Sequence, residues 1–169
     1  MSLGALAKET GLSKTLLSRL ESGAGNPSLE TLWQIARTFD IALGTLLGED
    51  DPPRTQVIRA GDGATLTSDA GMAARLVLAE GRAHRTETYE IYLLAGVEYF
   101  SRHRSGTEEL VICLEGSLEV GPEGQEVELS KDDALWFPGD LPHRYWSRDG
   151  SRALSIMSYP PATGRLVHE

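Results

Sequence analysis

The sequence predicts an α+β chain in two parts, a small all-α domain followed by an all-β barrel. Three observations carry this. Apolar residues follow a helical spacing up to residue 47 and a strand-like spacing after residue 55. Between them, GEDDPPRT (Gly48–Thr55) is acidic and holds the pair Pro52–Pro53, which stops helices and reads as a semi-rigid linker. Charge divides at the same place. Residues 1–47 balance four cations with four anions, so the whole net charge of −9 falls on residues 48–169. The expected organisation is a helical domain over 1–47, a linker over 48–55 and a barrel over 56–169.

The helical elements follow from caps and spacing. Ser2 suits an N-cap for a helix over Leu3–Thr10, and Gly11 suits the left-handed residue that ends it. Ser13 caps Lys14–Glu21, which Gly23 closes. Asn26–Pro27–Ser28 is a turn, with Ser28 capping a third helix that runs to about Phe39. A short helix, Leu43–Leu47, completes the set. Leu6, Leu16, Leu20, Leu32, Trp33 and Ile35 are the expected core. The strand candidates are Thr55–Arg59, Arg75–Ala79, Glu90–Leu94, Glu109–Leu114, Ser117–Val120, Ala134–Phe137, Arg144–Ser147 and Ala153–Tyr159. A strand about every ten residues suits a small barrel or sandwich.

Composition removes several function classes. No apolar run approaches the roughly 20 residues needed to cross a bilayer, and MSLGALAKETG lacks the pattern of a secretory signal. The single cysteine, Cys113, excludes an internal disulfide and a multi-cysteine zinc site. A cytoplasmic location is expected. The acidic total argues against nucleic acid only until its location is noticed, because phosphate binding rests on local Lys and Arg.

Two short helices joined by a tight Gly-containing turn form a helix-turn-helix. The stretch LGALAKETGLSKTLLSRLESGAGNPSLETLWQIARTFDIALGTLL, and within it LSRLESG…NPSLETL, resembles the XRE family of repressor/Cro-like DNA-binding domains. The resemblance makes Lys14–Glu21 the recognition helix. It implies DNA contact through Ser13, Lys14, Thr15, Ser18 and Arg19, with an operator bound by a homodimer. The family places one more helix before the one that starts at Leu3. Either the true start lies upstream of Met1, or the domain lacks that helix and has a partly open core.

The runs GVEYFSRHRSGTEELVICLEG (Gly96–Gly116) and VELSKDDALWFPGDLPHRYWS (Val127–Ser147) resemble the two motifs of the cupin superfamily, a double-stranded β-helix. The cupin pattern carries His-x-His, then Glu, then Gly, and later Pro and His. Glu109, Gly116, Pro138 and His143 match it. The His-x-His frame instead falls on Arg102 and Arg104, with His103 between them. His103 can join the ligand set through a bulge or a longer turn. The resemblance then implies one divalent metal ion, zinc, nickel or iron, on His103, Glu109 and His143. The competing reading is a metal-free, hydrogen-bonded pocket. Should Arg102 or Arg104 point inward, a carboxylate effector could dock on the guanidinium, with Tyr145 as a pocket wall. Cys113 reads as buried packing.

An XRE-type domain followed by a cupin is a recurrent bacterial regulator architecture. The expectation is a DNA-binding regulator whose barrel senses a small molecule, and not an enzyme. Two alternatives remain: a metal-dependent cupin isomerase or dioxygenase with a vestigial N-terminal domain, and a metabolite-binding protein acting through a protein partner.

Overall fold

A computed structural model describes residues 2–39, 41–47, 55–80 and 86–160. Most of the expected linker, residues 48–54, lies outside the described residues. Among the described residues four helices come first: α1 (Leu3–Thr10), α2 (Lys14–Glu21), α3 (Leu29–Thr38) and α4 (Leu43–Leu46). The serine caps act as the sequence requires. Ser2, Ser13 and Ser28 each accept a backbone N–H from three residues on, at 3.2, 3.1 and 3.4 Å. Each such cap is worth about 1 kcal/mol. Gly11 adopts φ +73° after α1, and Gly23 adopts φ +69° after α2. After α2 the Gly23 and Ala24 amides turn back onto the Leu20 and Arg19 carbonyls, which closes the exposed end of the helix.

Leu17, Leu29, Ala36, Ala42 and Leu43 form the buried centre of the helical part. Leu6, Leu16, Leu20, Leu32 and Ile35 are only half-buried. Trp33 departs from the expected helical core in a telling way. Its indole leaves the helical part and packs on the barrel, against Tyr89 and His103.

Nine antiparallel strands follow among the described residues: β1 (Thr65–Thr67), β2 (Met72–Glu80), β3 (Thr86–Leu93), β4 (Glu98–Ser101), β5 (Glu108–Pro122), β6 (Val127–Ser130), β7 (Ala134–Pro138), β8 (His143–Trp146) and β9 (Ser151–Ser158). They pair in the order β1-β2-β3-β9-β5-β8-β4, with β6 and β7 also on β5. The expected strand Thr55–Arg59 does not form. Val57 is 67% exposed there, and no strand among the described residues pairs with the segment. The expected strands Glu109–Leu114 and Ser117–Val120 are one strand. Gly116, at φ +75°, marks a corner beside a register shift between Cys113 and Glu115, and it does not end the strand. The first half of β5 pairs with β7 and β9, and its second half with β6 and β8.

Alternation fills the barrel. Glu109, Val111, Cys113, Leu118 and Val120 of β5 point inward, as do Ala153, Ser155 and Met157 of β9. On the outside, Glu90 is held between Arg75 (Nε at 3.0 Å) and Arg152 (Nη1 at 2.9 Å). Burial raises its pKa, but hydrogen bonds from Arg75, Tyr92 and Arg152 outweigh burial and bring it from 4.5 to about 2. The unfolded chain therefore takes up this proton first as pH falls. The contribution of Glu90 is complete above about pH 4.5 and is lost as pH drops towards 2. With the arginines partly exposed it amounts to about 2–3 kcal/mol. Glu90→Gln is expected to flatten the acid limb of stability against pH between 5 and 2, read by urea unfolding.

Candidate functional site

Three elements bring the barrel site together. Glu109 sits at the start of β5, fully buried and inward-facing. His143 opens β8, also fully buried, and its Nδ1 lies 2.8 Å from the Leu141 carbonyl. Donation of Nδ1–H there leaves the Nε2 lone pair pointing to Glu109. His103 lies past the end of β4, in the turn that leads to β5. Its own amide donates to the Gly139 carbonyl at 3.0 Å, and the Gly139 amide donates to the Thr107 carbonyl at 2.9 Å. Those bonds lash the His103 turn to the β7–β8 connection. A longer turn, not a bulge, is what delivers the imidazole.

The ligand-type atoms of His103, Glu109 and His143 all lie within 4.8 Å of one another. Glu109 Oε2 is 3.2 Å from His103 Nε2 and 3.5 Å from His143 Nε2. None of these three atoms has a hydrogen-bond partner among the described residues. Three convergent, buried and unpartnered lone pairs fit a divalent cation with three protein ligands and an open position. The other oxygen, Oε1, accepts from the Ser155 hydroxyl at 2.6 Å and from the Tyr145 hydroxyl. These bonds fix the carboxylate plane as outer partners of a metal site do.

The helical site is laid out differently. Ser13, Lys14, Thr15, Ser18 and Arg19 are all exposed on α2 or its cap. The Ser13 hydroxyl is occupied as cap, and Arg19 Nη2 donates to the Ala24 carbonyl at 3.3 Å.

Against these geometries stand the likenesses to known proteins. A helix-turn-helix family model matches residues 1–46, and a cupin domain model matches residues 89–159. The HTH-type transcriptional regulator SutR of Escherichia coli K12 is 25% identical over 164 residues, covering 94% of this chain and 87% of that protein. The crystal structure of an HTH_3 family transcriptional regulator from Vibrio cholerae is 27% identical. It superposes with a TM-score of 0.74, covering 95% of this chain and 88% of that one. The two domains thus recur in one order within one chain. The chain carries a helix-turn-helix domain followed by a cupin domain, and it is similar to these XRE-type transcriptional regulators along nearly its whole length. KdgF from Halomonas sp., at 16% identity and a TM-score of 0.52 over 61% of this chain and 94% of that one, shares the barrel fold alone. The relatives matched along nearly the whole chain are named as transcriptional regulators. No helix among the described residues is long and apolar enough to cross a membrane.

In the barrel site, Glu109 and His143 are held in the protonation states that metal binding needs. Burial raises the Glu109 pKa, but the imidazoles of His103 and His143 and the Ser155 hydroxyl outweigh it and hold it at about 2. Burial pushes the His143 pKa down, against the pull of Glu109. At neutral pH the carboxylate is ionised and the His143 imidazole is neutral.

The two arginines expected at the effector site part company. Arg102 is exposed and lines a cleft of about 190 Å³ between α3 and β4, its Nε donating to the Asp140 carbonyl at 2.9 Å. Arg104 turns the other way. Its Nη2 donates to the Pro160 carbonyl at 2.7 Å, and its guanidinium lies 5.3 Å from the centre of the Tyr159 ring. Neither arginine lines the small cavity at the triad. Tyr145 lines a small cavity beside the triad.

Sequence reasoning missed three contributors. Ser155 is a polar residue at an inward position of β9, a signal that alternation alone could have flagged. Gly139 lies so close that a Cβ there would stand 3.2 Å from Glu109 Cβ and 3.3 Å from the His103 ring. The Pro138–Gly139 pair advertised only a turn. Trp33 was assigned to the wrong neighbours, because helical spacing says which face is apolar but not what covers it.

Proposed function

We propose that this regulator binds an operator as a homodimer through α2 and that its barrel binds one divalent metal and a small carboxylate effector. The observation that carries the reading is the row Ser13, Lys14, Thr15, Ser18 and Arg19. It stays solvent-facing on α2 while the apolar residues of the same helix turn inward. A recognition helix reads base edges from its N-terminal residues, with Lys and Arg supplying phosphate or guanine contacts. Two such helices are needed to span paired half-sites, hence the dimer. The metal, zinc, nickel or iron, would sit on His103 Nε2, Glu109 Oε2 and His143 Nε2. Of the two arginines we assign the effector carboxylate to Arg102, which borders the open cleft, while Arg104 braces the chain at Pro160.

The test is a gel-shift titration of the full chain against DNA from its own promoter region at moderate salt. Lys14→Ala combined with Arg19→Ala is expected to weaken the shift at least about 10-fold, because each such contact is worth about 1–3 kcal/mol. An unchanged midpoint, with the double variant folded, would sink the assignment of α2.

A further inference from the structure

We propose that Trp33 is a movable wall shared by the two domains, so that a ligand of the triad larger than water displaces the indole and carries α3 with it. The inference rests on the reading of the chain as an effector-responsive regulator, and it says how the barrel reaches the DNA-reading domain.

The indole of Trp33 sits 4.4 Å from the His103 imidazole, ring centre to ring centre, and 6.0 Å from Tyr89. On its inner side is the cavity beside the triad, about 10 Å³ in volume and bordered by His103, Tyr89 and Tyr145. That is room for about one water molecule. On its outer side is the 190 Å³ cleft, bordered by Glu30, Gln34, Arg37 and Arg102. Trp33, Tyr99 and Ser101 border both spaces and so stand between one large enough for a small metabolite and the site with the metal-type ligands; Tyr99 and Ser101 come from β4, and Trp33 comes from α3. Trp33 thus belongs to the DNA-binding domain, not to the barrel.

The sequence of α3 explains the arrangement. Glu30, Trp33, Gln34 and Arg37 fall at i, i+3, i+4 and i+7, one face of the helix, and all four border the cleft. Leu29 and Ala36 are fully buried and tie α3 to its own domain. Movement of the indole out of the barrel mouth therefore moves a helix packed on α1 and α4. The path returns to the helical part. Tyr89 lies against Trp33, and its hydroxyl donates to Glu87 Oε2 at 2.9 Å. Glu87 Oε1 in turn accepts the Gly44 amide of α4 at 2.6 Å. Docking of the helices and filling of the triad site thus draw on one connected set of side chains. Two events that compete for one space are coupled reciprocally.

The cleft also says what enters. Arg37 and Arg102 face it with cationic groups, and Arg37 Nη1 is already on the Arg102 carbonyl at 3.3 Å. Glu30 opposes them from the far end of the same helix face. A small carboxylate, entering at the arginine end, is the class that suits this mouth.

The test uses formate, acetate and benzoate as probes of increasing size, titrated by calorimetry into the full chain with and without zinc. In the wild type, affinity is expected to fall with size. In Trp33→Ala, benzoate is expected to bind at least 10-fold tighter than in the wild type, while formate changes little. Trp33→Leu keeps a smaller apolar plug and stands in if the alanine variant does not fold. A Trp136→Phe/Trp146→Phe background leaves Trp33 as the sole tryptophan, and its emission is expected to shift to the red at saturating acetate. Equal benzoate affinities, no binding of any probe by either protein, or an unmoved emission would overturn the proposal. These titrations contain no DNA, so failure of the operator reading is scored separately. Where the operator is bound, Trp33→Ala is expected to change its affinity in the same direction as saturating acetate changes the wild type. An acetate response that persists undiminished in Trp33→Ala also overturns it.

Discussion

Glu109→Ala is expected to destabilise the barrel by about 3–5 kcal/mol and to remove metal binding. The carboxylate is fully buried and takes the Tyr145 and Ser155 hydroxyls on one oxygen while facing two imidazoles with the other. Truncation leaves two buried hydroxyls without an acceptor and takes away the charge that the two imidazoles face, which is the costly way to break a buried polar cluster. Glu109→Gln separates the two effects. Its amide oxygen can still accept from Tyr145 and Ser155, so most of the stability should survive. It lacks the negative charge a divalent ion requires, so retention of zinc after desalting should be lost. Unfolding by urea and elemental analysis of the two variants check both statements. A Gln variant that retains zinc as well as the wild type would sink the assignment of Glu109 as a ligand.

Glu87→Ala is expected to cost a similar amount, about 3–5 kcal/mol, but to act on the junction between the domains. Glu87 is completely buried on β3 and accepts at least three donors: the Gly44 amide at 2.6 Å, the Tyr159 hydroxyl at 2.7 Å and the Tyr89 hydroxyl at 2.9 Å. Each donor left without an acceptor in the interior costs about 1–3 kcal/mol. One of the three is the backbone of α4, so the helices should loosen before the barrel does. Amide exchange at Gly44 should accelerate at least about 10-fold, while exchange in β5 and β9 stays slow. Glu87→Gln, which keeps an acceptor, should fall between the two. Unaltered exchange at Gly44 in the alanine variant would show that the helices are held by other contacts.

The helices were legible in the sequence almost residue by residue, because their ends are written locally: a serine before α1, α2 and α3, a glycine after α1 and α2. The barrel was legible as a class but not in its seams. Gly116 looked like a strand terminus, since only its cross-strand partners on β9 show that the chain continues through it. The segment Thr55–Arg59 had the composition of a strand and no partner to pair with. For the site, Glu109 and His143 stood out by motif and His103 by its chemistry. What the sequence could not say is that the His103 imidazole would arrive on a turn tied to Gly139. Nor could it say that Trp33, some seventy residues earlier, would lie against it. Contacts between distant segments leave no periodicity behind.

The order of synthesis gives the Glu87 and Trp33 contacts a further meaning. The helical segment leaves the ribosome first, with its row from Ser13 to Arg19 already formed by local caps. The residues that receive it come later: Glu87, then His103, and finally Tyr159, whose hydroxyl completes the set on Glu87. While the chain is being made, the Trp33 indole is an exposed apolar group and the Gly44 amide has no acceptor. Only when β9 closes the barrel are both taken up. A polypeptide released before that point would carry the row on α2 without the contacts that tie α3 and α4 to the barrel. The docking of α3 and α4 on the barrel is therefore completed only by residues that follow the last strand.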